Sequence, residues 1–289
     1  MSRVTRRQFI ATGTAATGAA IMASPGVAMA DQQPPESDFG EFRVGIQSNV
    51  LNAFSPELEP MLGHIQDLGL RWVEFANWHY EVTDDEARIA EMQALLARHN
   101  IGMEAYFLGE IEAGADELRQ SFEFARKNGV SVLVGQPTEE ALPILDALVK
   151  EFDIKIAIHN YGPGHRYDKV EDMLIAAAPW DWRIGYCFDT GHAMRSGVEP
   201  VSAVRRMGSR LYGIHLREHG AISRDPQPPE TIIGEGALDL EAFCTALRDV
   251  GFSGPLSLEV YYNPQEPLEP LRKGMANLAK AIQASAPAA

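Results

Sequence analysis

Length, composition and charge exclude several classes of protein. The chain has 289 residues, of which 45% are hydrophobic and 22% charged, so it is long and apolar enough to bury a large core. Its formal net charge is −15 and no basic stripe offsets this, which argues against a nucleic-acid partner. The two cysteines, Cys187 and Cys244, lie in an apolar run and a helical pattern, and we expect buried free thiols rather than a disulfide.

The first 30 residues have the order of regions found in an export signal. Arg6 and Arg7 precede an apolar pair, a weakly apolar run rich in Ala, Gly and Thr follows, and Ala28-Met29-Ala30 stands before Asp31. This order predicts a cleavable twin-arginine signal peptide over residues 1–30, contact with the twin-arginine export machinery, and a periplasmic or secreted location. The alternatives are a disordered basic tail and a membrane anchor, but glycines and a proline in the run disfavour a stable span.

Residues 31–41 are polar and proline-rich, and they are predicted to form a linker. From residue 42 short apolar runs alternate with amphipathic segments, which indicates strands alternating with helices and hence a parallel sheet. Eight such units up to residue 285 predict one α/β domain, a (β/α)8 TIM barrel. A doubly wound sheet competes, but residues 47–52, after the first strand, lack a glycine-rich phosphate turn. The predicted strands cover residues 42–47, 72–75, 101–107, 130–134, 154–159, 184–188, 211–216 and 256–260.

Four of these strands end on a residue that can bind a metal. His159, Asp189, His215 and Glu259 stand at or just after the ends of strands five to eight. Taken singly, each has a structural explanation, such as a helix cap or a bond to the backbone. Their recurrence at the carboxyl face, where barrels place active sites, predicts one divalent metal ion. Two imidazoles and two carboxylates suit Mn²⁺, Co²⁺, Zn²⁺ or Fe²⁺ better than Mg²⁺.

Three further polar side chains are expected at the same face. Glu74 ends the second strand opposite the predicted metal, and we expect it to act as the general base. His192 follows Asp189 by three residues and could bind a substrate hydroxyl or add a ligand. Arg217 follows His215 by two residues and could bind a substrate oxygen. The alternatives are a salt-bridged barrel acid for Glu74 and structural or surface roles for the other two.

Aromatic residues near the second and third strands suggest a carbohydrate substrate. Trp78 is predicted to stack on a sugar ring, because aromatic faces beside polar groups are typical of such sites. It could equally cover the end of the barrel. On the third strand, Glu104 and Tyr106 share one face, and the sequence does not decide which of them points inward. Tyr106 is retained as a substrate-binding candidate.

Several of these segments resemble one known family. Together they make the chain similar to the xylose isomerase-like, or sugar phosphate isomerase/epimerase, barrel superfamily, and the resemblance covers nearly all of the chain after residue 42. The Asp-Thr-Gly-His and Gly-Glu-Gly segments in this order are fairly specific, whereas each alone is weak. The segments are Val73-Glu74-Phe75, Ile158-His159-Asn160, Phe188-Asp189-Thr190-Gly191-His192, Gly213-Ile214-His215-Leu216, Gly234-Glu235-Gly236 with Leu238-Asp239, and Leu258-Glu259-Val260.

The resemblance implies a metal site and exposes one departure from the family. In the superfamily a carboxylate, an Asp, a His and a Glu on strands five to eight typically hold a divalent metal, which implies Asp189, His215 and Glu259 as ligands. It also implies that His192 contacts the substrate. His159 stands where the family usually has Glu. A proton shuttle between two facing glutamates, as the ketose epimerases are thought to use, therefore lacks one partner here.

A subgroup that often carries an export signal shares the Ile-His-Asn pattern with a following Gly162-Pro163. The broader branch is linked to oxidised sugars and includes lyases that cleave 3-keto-glycosides by elimination. We expect an isomerase or epimerase that removes a proton beside the carbonyl of a small unphosphorylated sugar, since sugar phosphates are scarce outside the cytoplasm. The alternatives are a 3-keto-glycoside lyase and a non-catalytic periplasmic carbohydrate-binding protein. Either a monomer or a homo-oligomer is compatible with the sequence.

Overall fold

The computed structural model describes residues 39–287, which contain a closed barrel of eight parallel strands. Around the barrel the strands follow the order β1-β10-β7-β6-β5-β4-β3-β2, while β8 and β9 form a separate antiparallel hairpin. This architecture confirms the predicted TIM barrel. The strands are β1 (Arg43–Gln47), β2 (Trp72–Ala76), β3 (Gly102–Ile111), β4 (Val132–Pro137), β5 (Lys155–His159), β6 (Ile184–Asp189), β7 (Leu211–Leu216), β8 (Glu218–His219), β9 (Glu230–Thr231) and β10 (Pro255–Leu258).

Helices follow the barrel strands, as the alternating sequence pattern predicts. Asp85 caps α2 because its carboxylate accepts the backbone N–H groups of Ala87 and Arg88. At the other end Asn100 adopts a left-handed conformation with φ 52°, which a short polar side chain tolerates. The helices are α1 (Leu58–Asp67), α2 (Glu86–His99), α3 (Ala115–Asn128), α4 (Leu142–Phe152), α5 (Val170–Ala177), α6 (Thr190–Arg195), α7 (Pro200–Met207), α8 (Leu240–Asp249) and α9 (Leu268–Ala284).

The apolar core has two parts, one inside the barrel and a larger one between barrel and helices. Cys187 lies inside the barrel and Cys244 on α8, and both are buried and free, which confirms the expectation from the sequence. The aromatic and aliphatic side chains of the larger part fix the helices around the strands, so the strand ends are rigid supports for a site. The interior part consists of Ala76, Ala105, Phe107, Val132, Val134, Ala157, Cys187 and Tyr212.

The structure differs from the sequence-based expectation in several places. β3 continues to Ile111, beyond the predicted end at residue 107, and the β8–β9 hairpin was not predicted. Phe39 is already buried in the core, although the linker was predicted to reach residue 41. The predicted signal peptide and most of the predicted linker lie outside the described residues. Within residues 39–287, no helix is long and apolar enough to cross a membrane.

Candidate functional site

The four predicted metal ligands meet at the carboxyl end of four neighbouring strands. His159 ends β5, Asp189 ends β6, His215 lies near the end of β7 and Glu259 directly follows β10. One ligand atom from each lies within 4.8 Å of the others, and all four side chains are buried. Asp189 and His215 are register partners on adjacent strands. The barrel thus builds one cluster from residues far apart in the chain.

The free atoms of the cluster fit a divalent metal ion. His215 Nδ1 lies 2.9 Å from His159 Nε2 and 2.7 Å from Glu259 Oε2. Asp189 Oδ2 is 3.8 Å from His159 Nε2. Asp189 Oδ2 is buried without a hydrogen-bond partner, and Glu259 Oε2 faces only the His215 ring; a shared cation would relieve the cost of burying these oxygens. Nitrogen and oxygen donors so close together can hold a metal of the transition series or zinc.

Burial and neighbouring charge set the protonation of these side chains. Burial, followed by the charge of His215, lowers the pKa of His159 to about 3, so this imidazole is neutral and has a lone pair for a metal. Burial raises the pKa of Asp189 above its usual range. Burial also acts to raise the pKa of Glu259, but His215 and Arg217 outweigh it and hold that pKa well below the usual value. A bound cation would favour the ionised form of both carboxylates.

Glu74, the predicted general base, lies beneath the cluster and contacts His215 rather than the open mouth. Its Oε1 is 2.9 Å from His215 Nε2, and its Oε2 accepts a hydrogen bond of 2.7 Å from the Ser257 hydroxyl. The side chain is buried, and both carboxylate oxygens are engaged. It holds the His215 ring so that Nδ1 faces the other ligands.

His192 and Arg217 both lie beside the cluster. The His192 backbone N–H donates to Asp189 Oδ1 over 2.6 Å, and its ring Nε2 lies 3.7 Å from Asp189 Oδ2. Arg217 is buried rather than on the surface, with NH1 at 3.7 Å from Asp189 Oδ2 and NH2 at 3.1 Å from Glu230 Oε2. Burial acts to lower the pKa of Arg217, but Asp189, Glu259 and Glu230 raise it above its ordinary value. Arg217 is therefore a fixed positive charge beside the metal ligands.

Of the two aromatic candidates, Trp78 is placed at the mouth and Tyr106 is not. Trp78 is 51% exposed and packs edge-on against Phe107, whose ring is 5.5 Å from that of His159. Only the Phe107 ring separates this exposed indole from the cluster, so the indole can stack on a substrate. The structure does not bring Tyr106, the other predicted substrate-binding residue, to the cluster: its side chain points out of the barrel and packs against Phe124 of α3.

The open choice between Glu104 and Tyr106 is settled by a β-bulge. The register between β2 and β3 shifts between Val73 and Phe75, so the two residues do not share a face as simple alternation would require. Glu104 pairs with Arg43 at the amino end of the barrel, far from the cluster. The Tyr106 hydroxyl donates to the carbonyl of Tyr80. Neither residue contributes to the candidate site.

Sequence reasoning missed two residues that hold the ligands in place. The Asn160 side chain donates to the Asp189 carbonyl and accepts from the Asp189 backbone N–H, both over 2.8 Å. The Tyr261 hydroxyl donates to Glu259 Oε1 over 3.0 Å and accepts from Asn49 over 2.8 Å. Asn160 follows one ligand directly and Tyr261 follows another by two residues. Their positions next to ligands were the available signal.

Comparisons with known proteins agree with this architecture. A match to the xylose isomerase-like TIM barrel family covers residues 62–281. The rhizopine catabolism protein MocC of Rhizobium meliloti is 26% identical over 151 residues, which are 47% of this chain and 46% of that protein. An inosose dehydratase of Lacticaseibacillus casei is 23% identical over 129 residues, or 40% and 43% of the two chains. The matched region thus spans less than half the length of these relatives.

Solved structures show the same fold at low sequence identity. An L-ribulose 3-epimerase is 18% identical with a TM-score of 0.66, over 84% of this chain and 95% of that one. A probable 3-DHS dehydratase from Bacillus anthracis is 12% identical with a TM-score of 0.65, over 82% and 98%. These likenesses concern the fold, whereas the family match extends over most of the chain. The chain belongs to the xylose isomerase-like TIM barrel family.

Proposed function

We propose that this protein is a metal-dependent enzyme that removes a proton next to the carbonyl of an unphosphorylated sugar or cyclic polyol ketone. The observation that carries the proposal is the buried His159, Asp189, His215 and Glu259 cluster, in which Asp189 Oδ2 has no hydrogen-bond partner. The relatives named as inosose dehydratases and the structural neighbours named as epimerases and a dehydratase support the same substrate class. A bound divalent metal would polarise the carbonyl and make the adjacent C–H more acidic.

In this proposal each side chain of the site has a distinct task. Glu259 replaces Glu74 as the base, because it lies at the open face of the barrel and Tyr261 fixes its carboxylate. Arg217 and His192 hold substrate oxygens on which negative charge develops. Trp78 covers one face of the substrate ring from the rim of the mouth.

The arrangement favours elimination over epimerisation. Epimerisation needs a proton donor and a proton acceptor on opposite faces of the substrate carbon, whereas elimination needs one base. Here strand five carries His159 in place of a carboxylate and Glu74 is bound beneath His215, so neither position supplies a carboxylate across the substrate from Glu259. Glu259 would take the proton next to the carbonyl, a carbon–carbon double bond would form, and the bond from the β-carbon to its oxygen would break. The departing oxygen would receive the proton that Glu259 had taken and would leave as water or an alcohol.

Epimerisation or isomerisation remains the second candidate, supported by neighbours such as the L-ribulose 3-epimerase. The same removal of a proton begins both reactions, and they differ in whether the carbon is reprotonated or a leaving group departs.

The proposal also includes the location of the protein. We propose an exported protein on the strength of the Arg6-Arg7 signal pattern, and this location favours an unphosphorylated substrate.

The test begins with elemental analysis of the purified protein, followed by reaction in D2O. We expect about one metal ion per chain, lost in Asp189→Ala and Glu259→Ala but retained in the exposed control Glu235→Ala. The metal-loaded protein is then mixed with inosose and a 3-keto-glycoside. Elimination produces a conjugated enone with ultraviolet absorbance, while epimerisation incorporates deuterium without it. A folded wild type that binds no added metal would contradict the proposal and favour the carbohydrate-binding alternative.

A further inference from the structure

An arginine on the rim of the site contacts the ring of His192. Arg195 is the last residue of α6, the short helix that begins directly after Asp189. Its NH2 group lies against Nδ1 of His192, while NH1 reaches Gln227 Oε1 only at 3.5 Å. Among residues 39–287 no carboxylate lies within ion-pair distance of this guanidinium. The contact with the imidazole is therefore its closest polar interaction in the described part of the chain.

The chemistry of the two groups determines where the His192 proton lies. A guanidinium carries only N–H donors and stays charged at all ordinary pH values. An imidazole nitrogen facing it must accept, so a proton on Nδ1 would place two donors against each other. We infer that Arg195 is a positioning residue that holds His192 as the neutral tautomer with its proton on Nε2.

The rest of the ring environment keeps Nε2 directed at the cluster. Tyr161 stacks on the His192 ring with centroids 4.3 Å apart and an angle of 24° between the planes. The His192 backbone N–H is bound to Asp189 Oδ1, and Nε2 lies 3.7 Å from Asp189 Oδ2. The Nε2–H is thus aimed into the site without a strong acceptor of its own. It is available to donate a hydrogen bond to a substrate oxygen.

This tautomer narrows the role of His192. A ring whose Nδ1 is engaged by Arg195 and whose Nε2 already carries a proton cannot accept a proton from carbon. His192 therefore acts as a donor to a substrate oxygen and not as a second base, a conclusion that rests on the proposed function for the identity of that oxygen. The tautomer itself follows from the protein alone.

The loop after β5 leaves the space that the guanidinium occupies. A Cβ atom placed on Gly162 would lie 2.9 Å from Arg195 NH2. Any larger residue there would press on the guanidinium and move it relative to His192. Gly162 does not have a positive φ among the described glycines, so Gly162→Ala changes the contact without forcing a strained backbone.

The test reads the tautomer directly by long-range ¹H–¹⁵N NMR of the imidazoles, in full-length protein labelled with ¹⁵N-histidine and loaded with Zn²⁺. The signals of His192 are assigned by their loss in His192→Gln. We expect a protonated Nε2 and an unprotonated Nδ1 in the wild type. Arg195→Met and Gly162→Ala should lose this single pattern, whereas Arg195→Lys, which keeps a cationic donor, should retain it at least in part.

The matched control is Arg224→Met, since Arg224 binds Asp168 on a neighbouring loop and does not contact His192. Its spectrum should equal that of the wild type, and circular dichroism checks the fold of every variant. A wild-type His192 protonated on Nδ1 or on both nitrogens would overturn the inference. So would an unchanged pattern in a folded Arg195→Met. The spectra need no substrate, so failure of the proposed reaction leaves this test intact.

Discussion

Glu74 shows how the sequence can place a side chain inside the barrel without showing which residues it contacts. The pattern Val73-Glu74-Phe75 indicates an inward-facing carboxylate, and the side chain is indeed inside the barrel. What the sequence does not contain is its height relative to His215, which depends on the stagger of the strands. A chain of hydrogen bonds leads from Ser257 through Glu74 to His215 of the cluster. Through these bonds Glu74 orients the ring of His215, one of the candidate ligands.

Glu74→Gln is expected to weaken metal binding by about 10- to 100-fold, because the carboxylate partner of a ligand histidine orients the ring and raises its basicity. Metal titration by calorimetry measures this loss. At saturating metal the activity should return, since the base is elsewhere. Ser257→Ala, which removes only the bond to Oε2, is the milder control. A metal-saturated but inactive Glu74→Gln would restore Glu74 as the base.

Glu104 provides a pH-dependent prediction away from the metal site. Burial raises the pKa of this carboxyl, and the charges of Arg43 and Lys155 offset it only in part. One of its oxygens, Oε2, is buried without a hydrogen-bond partner. The folded state therefore favours the protonated acid. The contribution of Glu104 to the free energy of unfolding is fully present below its unfolded-state pKa of about 4.3. It is lost as the pH rises through the raised pKa of Glu104 in the folded state.

Glu104→Gln imitates the protonated acid, so its free energy of unfolding relative to the wild type should increase as the pH rises from about 4 to 7. Urea denaturation at several pH values measures the difference between the two proteins. Lys127→Gln, a surface change far from Glu104, is the control and should show no such trend. A difference that stays constant with pH, or falls, would contradict the prediction.

At the level of elements, the β8–β9 hairpin and the segment after it depend on one buried acid. Glu218 of β8 accepts backbone N–H groups from Gly234, Gly236 and Leu238. These residues include the Gly-Glu-Gly segment that carries the family resemblance. Its middle residue, Glu235, points outward and pairs with Lys273. The segment is therefore organised around Glu218, and the adjacent Arg217 is held next to the cluster.

Glu218→Ala would leave three backbone donors without an acceptor, and we expect it to destabilise the protein by about 3 kcal/mol or more. Glu235→Ala removes only an exposed ion pair and should cost less than about 1 kcal/mol. Chemical denaturation of the two variants compares these effects. Equal losses would show that the backbone bonds to Glu218 do not hold this segment.

The barrel strands could be predicted because each is a short apolar run that ends at the same face, and the four ligands followed from that regularity. The hairpin could not, since two-residue strands such as Glu218–His219 leave no periodic signal. The β-bulge that places Glu104 and Tyr106 on different faces is likewise not predicted by simple alternation. Helix α6 follows β6 without a loop, so Asp189 is both a strand end and a helix cap.

At the scale of the whole molecule, export by the twin-arginine route stays a prediction, because its signal lies outside residues 39–287. Arg6→Lys combined with Arg7→Lys should keep the precursor in the cytoplasm, because the twin-arginine route reads the paired arginines. Fractionation of cells expressing the full chain measures the distribution. Arg3→Lys, outside the pair, should be exported like the wild type. Export of the doubly substituted precursor at the wild-type level would contradict the twin-arginine assignment.

The candidate ligands come from β5, β6, β7 and β10, which are consecutive around the barrel, while Trp78 and Phe107 belong to the opposite arc. The candidate ligands and the aromatic wall of the mouth are thus encoded by separate stretches of the chain, while Arg217 and His192 lie on the metal side. Directed evolution can exploit this separation. A library confined to the loops after β2 and β3 varies the substrate surface, while every candidate ligand and its support from Asn160 and Tyr261 stays constant.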